Sequence, residues 1–178
     1  MNPLAHVVQV LRDQDIGFAL IGAMGMAVHG VSRATADLDL LVVDPEVLSP
    51  ELWAPLREGM LEVELRPGDA TDPLAGVVRI SSSELGSEHV DIVVGKHAWQ
   101  REAIARARPA QVAGVQLSVV RASDLILLKL FAGGAQDAWD IHQLLEQDVT
   151  GDLAAVVEQD LARLPAGCRH LWRRICEG

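Results

Sequence analysis

Apolar residues recur three and four apart through residues 3–14 (Leu4, Val7, Val8, Val10, Leu11), a stripe that predicts a helix. The pattern then changes. Phe18-Ala19-Leu20-Ile21-Gly22 reads as a short buried strand, and Ala23 to His29 as a short helix closed by Gly30. Asp37 to Val43 predicts a second strand, ended by the turn signal Asp44-Pro45. Residues 49–60 predict an amphipathic helix opened by Ser49-Pro50. Glu62 to Arg66, Val77 to Ile80 and His89 to Val94 predict three more strands, set apart by Pro67-Gly68, Asp72-Pro73 and Ser81-Ser82-Ser83. Residues 97–107 predict helix and Val115 to Val120 an extended segment. From Ala122 onward the chain reads as helical, with the last helices at Asp152 to Leu164 and Cys168 to Ile175. Strands first and helices last predict an α/β fold, a small mixed sheet flanked by helices with a C-terminal helical segment. Residues 1–121 are expected to form the core and 122–178 to pack on it, in one domain.

Composition narrows the functional classes. Of 178 residues, 49% are hydrophobic and 22% charged, enough apolar material for a sizeable core. Only 3% are aromatic, with no Tyr, so a base-stacking surface for single-stranded nucleic acid is not expected. Acidic residues outnumber basic ones 25 to 15, a net charge of -10. Such a chain has no general attraction for nucleic-acid backbones or anionic membranes, and a bound nucleotide would need a local basic cluster or a metal ion. The longest apolar stretch, Ile16 to Val28, falls short of the ~20 residues of a membrane helix. Cys168 and Cys176 are eight apart in a predicted helix, too far for a disulfide. The N-terminus lacks the basic start of a secretory signal. These features predict a reduced, cytoplasmic protein.

The chemistry concentrates in Asp37-Leu38-Asp39-Leu40-Leu41-Val42-Val43. Residues two apart on a strand share a face, so Asp37 and Asp39 project together. The rest of the segment is apolar on both faces, which marks a central strand. Two adjacent carboxylates repel and resist desolvation, and a divalent cation relieves both costs. Oxygen donors of this kind suit Mg²⁺ or Mn²⁺. The other reading is a pair of acids at the solvent-exposed mouth of a strand. A third acid, Asp91, again lies in an apolar strand, Val90-Asp91-Ile92-Val93-Val94. It either joins Asp37 and Asp39, completing a two-metal site for phosphoryl transfer, or pairs with an arginine such as Arg79. His89 shares its face. Gly22-Ala23, between strand and helix, could turn its amides to a phosphate. Arg33 and Thr35 alternate with Asp37 and would place a cation and a hydroxyl beside the acids.

These residues carry a resemblance. The run from Leu20 to Leu41, with its Gly22-Ala23 turn and its Arg33-Ala34-Thr35-Ala36-Asp37-Leu38-Asp39 stretch, resembles the first motif of the polymerase-β-type nucleotidyltransferases. More narrowly it resembles the branch related to abortive-infection and toxin–antitoxin nucleotidyltransferases. Residues 123–144, with Lys129 on a helix followed by Asp137 and Asp140, are similar to that branch's C-terminal motif. Ala23 departs from the Ser or Gly of many members, and Gly133-Gly134-Ala135-Gln136 from an arginine-bearing link, and the alternative to an active enzyme is a catalytically degenerate nucleotide- or partner-binding module on the same fold. The resemblance implies a nucleotidyltransferase sheet and transfer of a nucleoside monophosphate to an acceptor hydroxyl with release of pyrophosphate. The acceptor could be a tRNA end, a protein hydroxyl or a small molecule, and an antitoxin protein could be a partner. It implies Asp37, Asp39 and Asp91 as metal ligands and catalytic groups, with Gly22, Ala23, Arg33, Thr35 and Lys129 on the nucleotide. Lys129 lies in the apolar run Leu125 to Phe131, where it either serves a phosphate or pairs with Asp137 or Asp140.

Overall fold

The structure is a computed structural model and describes residues 3–32, 37–82 and 89–177. The first helix, α1 (Pro3–Asp13), buries the predicted stripe Leu4, Val7, Val8 and Leu11. It is followed by β1 (Phe18–Ile21), α2 (Gly22–Val28) and β2 (Leu38–Val42). Then come α3 (Ala54–Glu58), β3 (Glu62–Pro67), β4 (Gly76–Ser81), β5 (His89–Val94) and α4 (Ala98–Ala105). The hairpin β6 (Arg108–Val112) and β7 (Val115–Val119) precedes four helices: α5 (Ala122–Ala132), α6 (Ala135–Glu146), α7 (Leu153–Asp160) and α8 (Ala166–Glu177).

The seven strands among the described residues form one mixed sheet in the order β3-β4-β5-β2-β1-β7-β6. The strand with the paired acids, β2, is the middle one, parallel to β5 and antiparallel to β1. Its last three residues, Leu40, Leu41 and Val42, are fully buried, as an apolar run on both faces requires. Alternate residues then divide two cores. Leu20, Leu40, Val42, Ile80, Val90 and Ile92 face α1, Trp53 and Leu56. Ala19, Ile21 and Leu41 face Trp99 and Ala103 of α4, with Leu125 and Ile126 of α5 and the C-terminal helices beyond. Arg106, at the end of α4, ties these helices together, because it bonds the fully buried Asp124 of α5 at 2.6 Å and reaches Asp160 of α7 at 3.0 Å.

Two expectations need correction. Residues 49–60 are not one helix: a 3₁₀ turn at Pro50–Trp53 leads into the short α3. Pro55 lacks the amide that would continue the ladder, so the helix restarts at its first turn. Residues 108–112, which carried no predicted element, form β6. Pro109 argues against a strand, but β6 is at the edge of the sheet, where a missing donor costs nothing. Its hairpin closes on a two-residue turn, Ala113 (φ 49°) and Gly114 (φ 77°), the backbone that favours Asn-Gly. Ala113→Asn is therefore expected to stabilise the fold by up to about 1 kcal/mol, read from the shift in denaturant midpoint. An unchanged or lower midpoint would refute it.

Candidate active site

Strand register brings the candidate acids into line. Across four strands on one face, Glu64 of β3 is opposite Arg79 of β4, Arg79 opposite Asp91 of β5, and Asp91 opposite Asp39 of β2. Asp39 in turn is opposite Ile21, the last residue of β1. Asp37 and Asp39 are two apart, as are His89 and Asp91, so all four share the face of Leu41 and Val93. This is the face that α4 and α5 cover farther along the sheet. The expectation for Arg33 and Thr35 falls outside the described residues.

Asp39 is the most stressed group of the row. Its carboxyl is pushed above its usual pKa near 3.8, first by burial and then by the Asp91 and Asp37 carboxylates; His89 and Lys129 pull the other way. Gly22 makes room for it. A Cβ on Gly22 would stand 2.0 Å from Asp39 Oδ2, and Gly22 also takes φ +63°, so a side chain at this turn would displace the carboxylate and strain the backbone. Here the glycine that opens α2 is a spatial requirement of the carboxylate beside it.

Asp91 is held from both sides. Arg79 donates two hydrogen bonds to it, Nε to Oδ1 at 2.8 Å and Nη2 to Oδ2 at 2.7 Å. His89 bridges two acids, with Nδ1 3.2 Å from Asp37 Oδ1 and Nε2 3.5 Å from Asp91 Oδ2. At the outer end Glu64 is occupied by Arg66, bonded at 2.8 and 2.7 Å, and so does not draw Arg79 away from Asp91. The arginine alternative for Asp91 is thus present in the structure, beside Asp39 rather than instead of it. The salt-bridged ladder Arg66–Glu64 was not anticipated, although Glu62, Glu64 and Arg66 alternate along β3 as one polar face.

Lys129 of α5 is buried and bonds two acids of α6, Asp137 Oδ1 at 3.2 Å and Asp140 Oδ2 at 2.5 Å. Asp137 also accepts from the Gly134 amide, capping α6. Gly133, at φ 68°, supplies the left-handed end of α5 that folds α6 back onto Lys129. The charge of Lys129 still reaches Asp39. His29 bonds the Val120 carbonyl at 2.8 Å and acts as a structural histidine.

The donor set can be weighed against a divalent ion. Three carboxylates supply hard oxygen donors, and Asp39 carries repulsion that a cation would relieve. No cluster of three or more His, Cys, Asp or Glu side chains is arranged to hold a metal among the described residues. The acids form an open row, the kind of site that completes a Mg²⁺ shell with water and substrate phosphates. Of the row, Asp37 and Asp39 carry the oxygen donors such an ion takes, with Asp37 also against His89, while both oxygens of Asp91 are engaged by Arg79.

The raised pKa of Asp39 has a consequence for stability. A carboxyl with a folded pKa above its unfolded one binds its proton more tightly in the native state, so stability falls as pH rises from the ordinary aspartate range through the folded value. Asp39→Asn should therefore raise the melting temperature in EDTA at pH 7, and the gain should vanish as pH approaches 4. A gain that persists at low pH would show another cause.

No protein-family model matches the chain, and no curated protein matches it. Solved structures do. The antibiotic-resistance factor ANT(2'')-Ia is 14% identical, with a TM-score of 0.56 and 90% of each chain covered. The lincosamide antibiotic adenylyltransferase LnuA, with lincomycin bound, is 12% identical at a TM-score of 0.50, covering 80% of this chain and 94% of that one. An antigenic nucleotidyltransferase-like protein from Paracoccidioides brasiliensis is 14% identical at a TM-score of 0.51, covering 94% and 88%. The likeness is one of fold: a mixed sheet flanked by helices, with a C-terminal helical segment, as in these nucleotidyltransferase structures.

Proposed function

We propose that the protein is a nucleotidyltransferase that moves a nucleoside monophosphate from a nucleoside triphosphate to a hydroxyl of a small acceptor molecule. The observation that carries this reading is the register of Asp39 with Asp91 on adjacent parallel strands, with the Asp39 carboxyl packed against Gly22. Two acids side by side in the middle of a sheet weaken the fold, and phosphoryl transfer gives them a use. Asp37 and Asp39 would hold Mg²⁺ or Mn²⁺, which supplies charge neutralisation on the triphosphate. Asp91 would receive the proton of the acceptor hydroxyl. The hydroxyl oxygen then bonds the α-phosphorus while the bond to the β-phosphate oxygen breaks, and pyrophosphate leaves. Arg33, Thr35 and the Gly22-Ala23 turn would meet the phosphates. Lys129, committed to Asp137 and Asp140, would act through its field rather than by a direct bond.

A small acceptor is favoured for two reasons. ANT(2'')-Ia has been solved with adenylyl-2''-tobramycin, and LnuA with lincomycin. The net charge of -10 also disfavours a tRNA acceptor. Incubation with each α-labelled triphosphate, Mg²⁺ and a panel of aminoglycosides, lincosamides, tRNA and protein tests this. Label on a small molecule, lost in Asp39→Asn, is the expected result. Label on tRNA or protein would overturn the acceptor class and favour a toxin with an antitoxin partner. No label on any acceptor, together with no triphosphate binding, would overturn the activity.

A further inference from the structure

We propose that Arg79 stands in for a second cation, so that this site takes a single divalent ion, at Asp37 and Asp39, while Asp91 works from the grip of Arg79. The proposal rests on the nucleotidyltransferase reading above and departs from the two-metal arrangement that the sequence suggests. Three observations carry it. Both oxygens of Asp91 are engaged by the Arg79 fork, at 2.8 and 2.7 Å. A bidentate guanidinium pair is strong and directional, and arginine keeps its charge at any working pH. Second, Arg79 is fixed by register, directly opposite Asp91, with the Glu64 charge behind it and Glu64 itself satisfied by Arg66. Among the described residues, the guanidinium directs its side-chain hydrogen bonds to Asp91.

Third, counted apart from the His89 ring between Asp37 and Asp91, three carboxylates and one guanidinium leave a formal charge of two negatives, which a single divalent cation meets. An ion between Asp39 and Asp91 would sit against the positive fork at close range, and like charges in a half-buried site repel strongly. Each carboxylate oxygen has two lone pairs, and Arg79 takes one on each. Asp91 therefore keeps the capacity to accept a proton from an acceptor hydroxyl while a second metal is shut out. Arg79 is in this reading a positioning residue, since it acts through Asp91.

Counting bound Mn²⁺ by electron paramagnetic resonance, with saturating α,β-methylene-ATP, tests the proposal without turnover. Wild type should bind one Mn²⁺ per chain, Arg79→Met two, and Arg79→Lys, which keeps the positive charge, one. Asp91→Asn should leave the single ion in place, because that ion belongs to Asp37 and Asp39. Two ions in wild type, or one in a folded Arg79→Met, would overturn the proposal and leave the nucleotidyltransferase reading standing. Should Arg79→Met not fold, the counts for wild type and Asp91→Asn still decide: loss of the ion in Asp91→Asn would also overturn it. No Mn²⁺ bound by wild type with the analogue would overturn both readings together.

Discussion

Lys129→Met is expected to destabilise the fold by about 3–5 kcal/mol, the cost of removing one partner of a buried ion pair. Lys129 sits in an apolar stretch of α5 and is 9% exposed, and Asp140 beneath it is 1% exposed. Methionine fills the same length of side chain but leaves the Asp140 carboxylate in the interior without its 2.5 Å ammonium, and Asp137 without its 3.2 Å one. At this chain length the loss corresponds to a fall in melting temperature of roughly 10 °C. Replacing the whole set, Lys129→Met with Asp137→Asn and Asp140→Asn, should recover most of it, because charge is then removed from both sides. Thermal denaturation of the two variants checks the claim. A Lys129→Met protein as stable as wild type would mean that the ammonium serves a ligand and not the fold.

Gly22→Ala should reduce transfer activity by roughly a hundredfold or more, the scale on which ångström-sized displacements of reacting groups act. The added methyl would stand 2.0 Å from Asp39 Oδ2 and 2.8 Å from its Cγ, so the carboxylate must swing away. It would then leave the row it shares with Asp91 and the ion position proposed for it and Asp37. The φ of +63° adds backbone strain of about 1–2 kcal/mol for a residue with a Cβ. The fold should survive that strain, since the same carboxylate loses some burial and repulsion when displaced. Steady-state kinetics with a circular-dichroism melt distinguishes the two effects. Full activity in a folded Gly22→Ala would remove Asp39 from the reaction.

How much was legible before the structure depends on the range of the interaction. The β2 acids could be read because alternation along one strand decides which side chains share a face, and a run apolar on both faces decides that the strand is central. The partnership of Lys129 with Asp137 and Asp140 was one of two open readings, since the turn at Gly133-Gly134 could present either solvent or α6 to the lysine. β6 was missed because proline is judged against a strand interior, and nothing local says that a strand will lie at an edge. The same limit applies to residues 49–60, where amphipathic spacing outweighed the missing amide of Pro55.

By itself the sequence determined the order of the elements apart from β6 and the broken helix at 49–60, the central place of β2 and the alignment of Asp37 with Asp39, because each follows from backbone periods of two and 3.6 residues and from the polarity of neighbours in the chain. Only the tertiary structure decided that Asp91 lies in register with Asp39, that Arg79 closes on it from β4 and that Gly22 is the floor under a carboxylate. Those are contacts between strands, set by pairing register, and a one-residue slip of β5 or β4 would send Asp91 or Arg79 to the opposite face.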